Sequence, residues 1–153
     1  MNRAAMIEKL NEILKWEYAG LIQYTQYSFV LQDLWRGVYA EEFRENGEEA
    51  LKHAHKVGDK IVALGGVTTV ERGEVKQTLD LHQMLEYSLE MELRHVRLYT
   101  EALALCEEGD VALRVLLEDI CLDEQEGADQ LSKILKKNDL ALGARDKAQT
   151  KAG

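Results

Sequence analysis

Apolar residues recur at helical spacing through four long stretches of this chain. From about Ala5 to Leu34 they fall at Met6, Leu10, Ile13, Leu14, Gly20, Leu21, Tyr24 and Leu31, the i, i+3, i+4 stripe of an amphipathic helix. A second stripe runs from about Tyr39 to Leu64 through Phe43, Ala50, Ala54, Val57 and Ile61, and Gly65-Gly66 predicts a left-handed cap at its end. The third starts near Thr78 and reaches about Cys106 by way of Leu81, Leu85, Ser88, Met91, Val96, Tyr99 and Leu103. After the turn Glu107-Glu108-Gly109-Asp110, a fourth runs from about Val111 to Lys137 through Leu113, Leu116, Leu117, Ile120, Ala128, Leu131 and Ile134. Proline is absent from the chain, and only Val62 to Thr69 is rich in β-branched residues, so the predicted class is all-α.

The connections set the topology. Short turns join the first helix to the second and the third to the fourth, which favours two antiparallel hairpins. Gly65 to Gln77 between them is too long for a turn and reads as a crossover, the arrangement of an antiparallel four-helix bundle with one long connection. Residues 1–137 form the expected bundle domain. Residues 138–153 lose the periodicity and carry Arg145, Lys147 and Lys151, as a basic polar tail or short extra helix would.

Composition narrows the partners. A formal net charge of −9 opposes nucleic acid and anionic membrane surfaces, and no apolar run approaches membrane-spanning length. Cys106 and Cys121 lack metal-ligand spacing and read as reduced core residues of a cytoplasmic protein.

Several polar residues stand on the apolar faces. Glu17 lies one turn from Ile13 and one turn from Leu21; Glu92 lies between Ser88 and Val96, with His95 close by; Glu124 lies between Ile120 and Ala128. On the second helix His53 borders the Ala50–Val57 stripe, one turn after Glu49. Burying a single unpaired carboxylate costs roughly several kcal/mol, and no lysine or arginine shares these faces near mid-helix. Divalent or trivalent metal ions compensate best, because carboxylate oxygen and imidazole nitrogen are ordinary ligands for them. His55, Glu48, Glu86, Glu90 and Glu126 fall on solvated faces, and Met84 and Met91 belong to the packing pattern of the third helix.

These segments also resemble the four helices of bacterioferritins, in order and with matching lengths, across about residues 5 to 137. LNEILKWEYAGLIQY resembles the first helix and puts the family's ligand glutamate on Glu17 and its nearby tyrosine on Tyr24. EEALKHAHKVGDKIVALGG resembles the second, with the ligand histidine at His53; LEMELRHVRLY resembles the third, with Glu92; DEQEGADQL resembles the fourth, with Glu124. The resemblance implies a ferritin-like fold, a di-iron site, oxidation of Fe(II) by dioxygen or peroxide for storage or detoxification, and self-association into dimers or a hollow shell.

The pattern departs from that family at defined points. A Glu-x-x-His on the second helix would need a glutamate at Ala50, for which only Glu49 can stand in, rotated by roughly a quarter turn. On the fourth helix the expected histidine is Gly127. The third helix instead carries Glu92-Leu-Arg-His95, so His95 either supplies the missing nitrogen or fills the space beside Gly127 as a hydrogen-bonded core residue. The family's axial haem methionine would fall near Leu51, which cannot coordinate iron, and this speaks against haem. Three other readings follow: a rubrerythrin-type oxidase or peroxidase, against which stands the lack of a Cys-x-x-Cys module; a non-catalytic partner subunit; and a DNA-protecting mini-ferritin, against which stands a first helix without histidine.

Overall fold

The computed structural model describes residues 1–137; the expected C-terminal tail lies outside the described residues. Four helices follow one another: α1 (Arg3–Val30), α2 (Arg36–Ala63), α3 (Leu81–Leu103) and α4 (Val111–Leu135). The closest pairs are α1 with α2, α3 with α4, and α1 with α3. This is the predicted all-α bundle of two hairpins and one crossover.

The ends of the helices are set by capping groups that periodicity does not reveal. α1 stops at Val30 rather than near Leu34, because Leu31 turns extended (φ −61°, ψ 120°). Nη1 of Arg36 donates to the carbonyls of Ser28, Phe29 and Leu31 there. α2 therefore begins earlier than Tyr39. α3 begins at Leu81, later than Thr78, where Asp80 caps it by accepting from the Gln83 N–H at 2.9 Å. Gly65 adopts φ +86°, with Gly66 N–H donating to Ile61 O and Gly65 N–H to Val62 O, so the expected left-handed cap of α2 is a Schellman motif.

The crossover is strapped along α1. The Asn11 amide donates to Val67 O and accepts from Thr69 N–H, Gly73 N–H donates to Lys15 O, and buried Gln23 accepts from Lys76 N–H. Tyr27 adds a hydrogen bond from its hydroxyl to Lys76 O at 2.6 Å. On the described residues no helix is long and apolar enough to cross a membrane. Cys106 and Cys121 are free thiols, half-buried rather than in the core proper.

The apolar interior is split in two. One cluster gathers Met6, Leu10, Ile13, Leu14, Val57, Ile61, Leu98, Tyr99, Leu117 and Ile120. The other gathers Tyr24, Tyr27, Leu31, Phe43, Met84, Leu85, Leu89, Ala128 and Leu131. Between them each helix has a gap in its apolar stripe, and the gaps meet at one level of the bundle.

Gln23→Ala should lower stability by about 2 kcal/mol, because it strands the Lys76 N–H and opens a small void. Chemical denaturation of the variant measures this; an unchanged midpoint would show that the crossover is held without that amide.

Candidate metal centre

The gap between the two clusters holds Glu17 on α1, His53 on α2, Glu92 and His95 on α3, and Glu124 on α4. All five are nearly or wholly shielded from solvent. Helical geometry alone brings them together: each replaces an apolar residue in the inward stripe of its helix, at the same height.

Their contacts interlock around Glu124. Oε1 of Glu124 lies 2.8 Å from His53 Nδ1 and 3.4 Å from His95 Nδ1. Glu17 Oε1 accepts from the Tyr99 hydroxyl at 2.7 Å and lies 3.7 Å from His53 Nδ1. Glu92 accepts a short hydrogen bond from the Tyr24 hydroxyl and lies close to Glu124 and His95. Two buried ligand sets result, Glu17–His53–Glu124 and Glu92–His95–Glu124, with Glu124 common to both.

Both imidazoles turn Nδ1 inward. His95 Nε2 is 3.0 Å from the Trp16 carbonyl, which can only accept, so in the neutral ring this nitrogen carries the proton and Nδ1 the lone pair. His53 Nε2 is 3.2 Å from Asp123 Oδ2, an outer carboxylate that favours the same tautomer. Of the four buried side-chain atoms left without a hydrogen-bond partner among the described residues, two belong to this layer, Glu17 Oε2 and His95 Nδ1. Unpartnered polar atoms shielded by the protein are costly, and a cation that displaces the Glu17 proton would satisfy both. The donor set of carboxylate oxygens and imidazole nitrogens therefore fits a metal ion such as iron.

The small residues of this level are set against the ligands. A Cβ at Gly127 would lie 3.2 Å from Cδ and Oε2 of Glu92, so that carboxylate fills the position where α4 lacks a histidine. His95 does not occupy that space. It leans instead on α1, where a Cβ at Gly20 would lie 3.2 Å from its Cε1. Glycine inside a helix costs roughly 0.5–1 kcal/mol relative to alanine, and here its smallness admits a ligand side chain.

Glu49 does not join the buried sets, but with His53 and Asp123 it makes a third, more exposed group that could hold a metal ion. Its side chain is 50% exposed, 3.8 Å from His53 Nε2, and with Asp123 it marks the mouth of a cavity of about 250 Å³. That cavity opens between α2 and α4, past Glu45, Asn46 and Gln130, and reaches Glu92 and His95 at its inner end. Sequence reading missed Asp123, which stands one position off the inward stripe, and treated Tyr99 only as packing. The neighbouring Glu124 is the sole signal for the first, and nothing distinguishes the second.

Electrostatics follow from burial. Desolvation pushes the Glu17 carboxyl up to about 8 and the Glu124 carboxyl up to about 7, and drives Glu92 well above the usual carboxylate range. Near neutrality the metal-free centre thus holds protons that an unfolded chain would have released. Tyr24 and Tyr99 are likewise pushed well above the ordinary phenol value, by burial and by the adjacent carboxyl groups, and stay neutral donors.

Residues 7–141 match the ferritin-like domain family, and the chain belongs to it. A bacterioferritin of Mycobacterium bovis is 29% identical over 134 residues, covering 86% of this chain and 84% of that protein. A nutrient stress-induced DNA-binding protein of Nostoc sp. is 28% identical over 95% of this chain and 85% of its own length. Among solved structures, a ferritin-like, diiron-carboxylate protein from Bacillus anthracis superposes with a TM-score of 0.79 at 30% identity, over 87% of this chain and 96% of that one. This chain is accordingly a ferritin-like, bacterioferritin-related four-helix bundle, in which Ala50, Gly127 and His95 stand where the resemblance leads one to expect glutamate, histidine and no ligand.

Because the folded metal-free protein binds more protons than the unfolded chain above the ordinary carboxylate range, its stability falls as pH rises through about 7 and 8. Its melting temperature should drop by at least about 4 °C between about pH 6 and about pH 9. Zinc should flatten that slope and release protons on binding. A pH-independent melt of the metal-free protein would contradict the shifted carboxyls.

Proposed function

We propose that this chain takes Fe(II) as its substrate inside the bundle and oxidises it, for iron storage or detoxification. The observation that carries the reading is the pair of buried ligand sets sharing Glu124, each with one inward imidazole nitrogen. Glu17, His53 and Glu124 would hold one ion, and Glu92, His95 and Glu124 the other. Two ferrous ions together supply two electrons, the number that reduces peroxide to water or dioxygen to peroxide.

The chain's own residues do the rest. Protons leaving Glu17, Glu92 and Glu124 on loading supply the carboxylates that neutralise the incoming charge. Tyr24 orients Glu92 through its hydroxyl and stands beside it as a hydrogen-bond or electron donor. Tyr99 orients Glu17 in the same way. Glu49 and Asp123, at the cavity mouth, attract cations toward His53. No haem is assigned, because Leu51 offers no ligand atom at the position that would carry one. DNA binding is the printed property of the Nostoc relative; with a net charge of −9 we do not extend it to this chain. The cytoplasm is the assigned location, in keeping with two free thiols.

Anaerobic titration of the metal-free protein should find two Fe(II) per chain, and air should then oxidise them faster than buffer does. Glu124→Ala should abolish tight binding of both ions, since it removes the shared ligand. An intact fold without tight binding would instead identify a non-catalytic partner subunit. Sustained turnover with a reductant, with no mineral accumulating, would favour the rubrerythrin-type oxidase.

Self-association is part of the proposal. Ile22 and Phe29 are 44% and 65% exposed, and with Leu21 and Thr25 they make an apolar strip along α1. Sedimentation should show at least a dimer, and Ile22→Glu with Phe29→Glu should shift it toward monomer. A wild-type protein that sediments as a monomer would remove this part of the proposal.

A further inference from the structure

His95 takes its orientation from a place on α1 that contains no ligand. Its ring is 2% exposed, with Nε2 at 3.0 Å from the Trp16 carbonyl and Nδ1 unpartnered, 3.4 Å from Glu124 Oε1. By helix geometry the Trp16 carbonyl already accepts from the N–H of residue 20, four positions on. It can receive a second donor only where a side chain comes right up to the helix backbone. Residue 20 is the point of approach. A Cβ built on Gly20 would lie 3.2 Å from His95 Cε1 and 3.8 Å from Nε2, and 3.7 Å from Ala50 Cβ on the neighbouring helix.

We propose that Gly20 is a positioning residue: together with the Trp16 carbonyl it forms a seat on α1 that locks His95 as the Nε2–H tautomer and so aims the Nδ1 lone pair at the metal centre. The inference rests on His95 being the nitrogen donor of the second ligand set. A nitrogen ligand on α3 must approach from a different helix than one on α4 would. The notch at Gly20 supplies the depth, and the backbone carbonyl supplies the acceptor that fixes the proton. His53 is fixed by a different device, the Asp123 carboxylate on α4, which makes it an internal control. The Arg94 guanidinium sits 3.8 Å from the centroid of the Trp16 indole and holds the Trp16 turn from outside.

The test reads the histidine rings by nitrogen-resolved NMR in the metal-free protein and again with Zn(II). In the wild type His95 should show a protonated Nε2 and a bare Nδ1, and Zn(II) should shift Nδ1. In Gly20→Ala the His95 Nε2–H signature should be lost or mixed while that of His53 is unchanged, and Zn(II) affinity should fall at least about tenfold. Adding Gly20→Ala to His95→Ala should cost no further affinity, because the seat then has nothing to hold. If Gly20→Ala fails to fold but the double variant folds, the clash is with His95 and the seat is supported. If both fail to fold, if His95 carries its proton on Nδ1, or if Gly20→Ala keeps the wild-type tautomer and affinity, the proposal is overturned. These readouts use no iron oxidation, so a failed ferroxidase assay would leave them standing.

Discussion

Carboxyl groups taken out of water into the middle of a helical bundle set the terms for everything around them. Glu17, Glu92 and Glu124 sit at one level between two apolar clusters, where an ionised carboxylate without a counter-charge is too costly to keep. Three responses are visible at once. Protons are retained, as the raised Glu17 and Glu124 carboxyls record. Tyrosine hydroxyls are recruited, Tyr24 to Glu92 and Tyr99 to Glu17. Imidazoles are turned so that their lone pairs point into the group. None of these fully satisfies the layer, since Glu17 Oε2 and His95 Nδ1 keep no partner. A purely structural polar layer would be worse than an apolar one on these terms; a cation is what makes it consistent.

Where the polar layer departs from the pattern of the resemblance, neighbouring side chains fill the space rather than single replacements. Losing a side chain at position 127 does not leave a hole, because Glu92 packs its carboxylate there. His95 gains its place from Gly20 on the opposite side of α3's inward face, not from Gly127. Ala50 is small and its helix contributes only His53 to the buried group, with Asp123 of α4 supporting that ring from outside. The polar layer thus draws carboxyl groups from α1, α3 and α4 and imidazoles from α2 and α3 at one level of the core.

Much of this was legible in the chain itself. Four stripes, no proline and one long connection define the bundle, and acidic residues in the stripes mark the level at which it is polar. The cap at Gly65 could be read because glycine tolerates the conformation needed there. What could not be read depends on where side chains end rather than where they begin. Arg36 reaches back to carbonyls of α1 and shortens it; Asp80 caps α3 inside a segment that looks helical already. Glu49 and Asp123 lie off the inward stripe by about one residue, and only the length and tilt of neighbouring side chains decide that they face the cavity mouth. Gly20 reads as one more small residue in a stripe until the ring lying against it is seen.

The two flanks of the bundle are not equivalent. Along α1 the crossover is pinned by Asn11, Lys15, Gln23 and Tyr27, which closes that side. Between α2 and α4 the cavity is open and lined with acidic and amide groups. The molecule therefore has a front and a back. A body docked on the α2–α4 front would close the cavity mouth, whereas the strapped flank can be covered without closing it, so the two flanks differ in what contact with another molecule does to the buried polar layer.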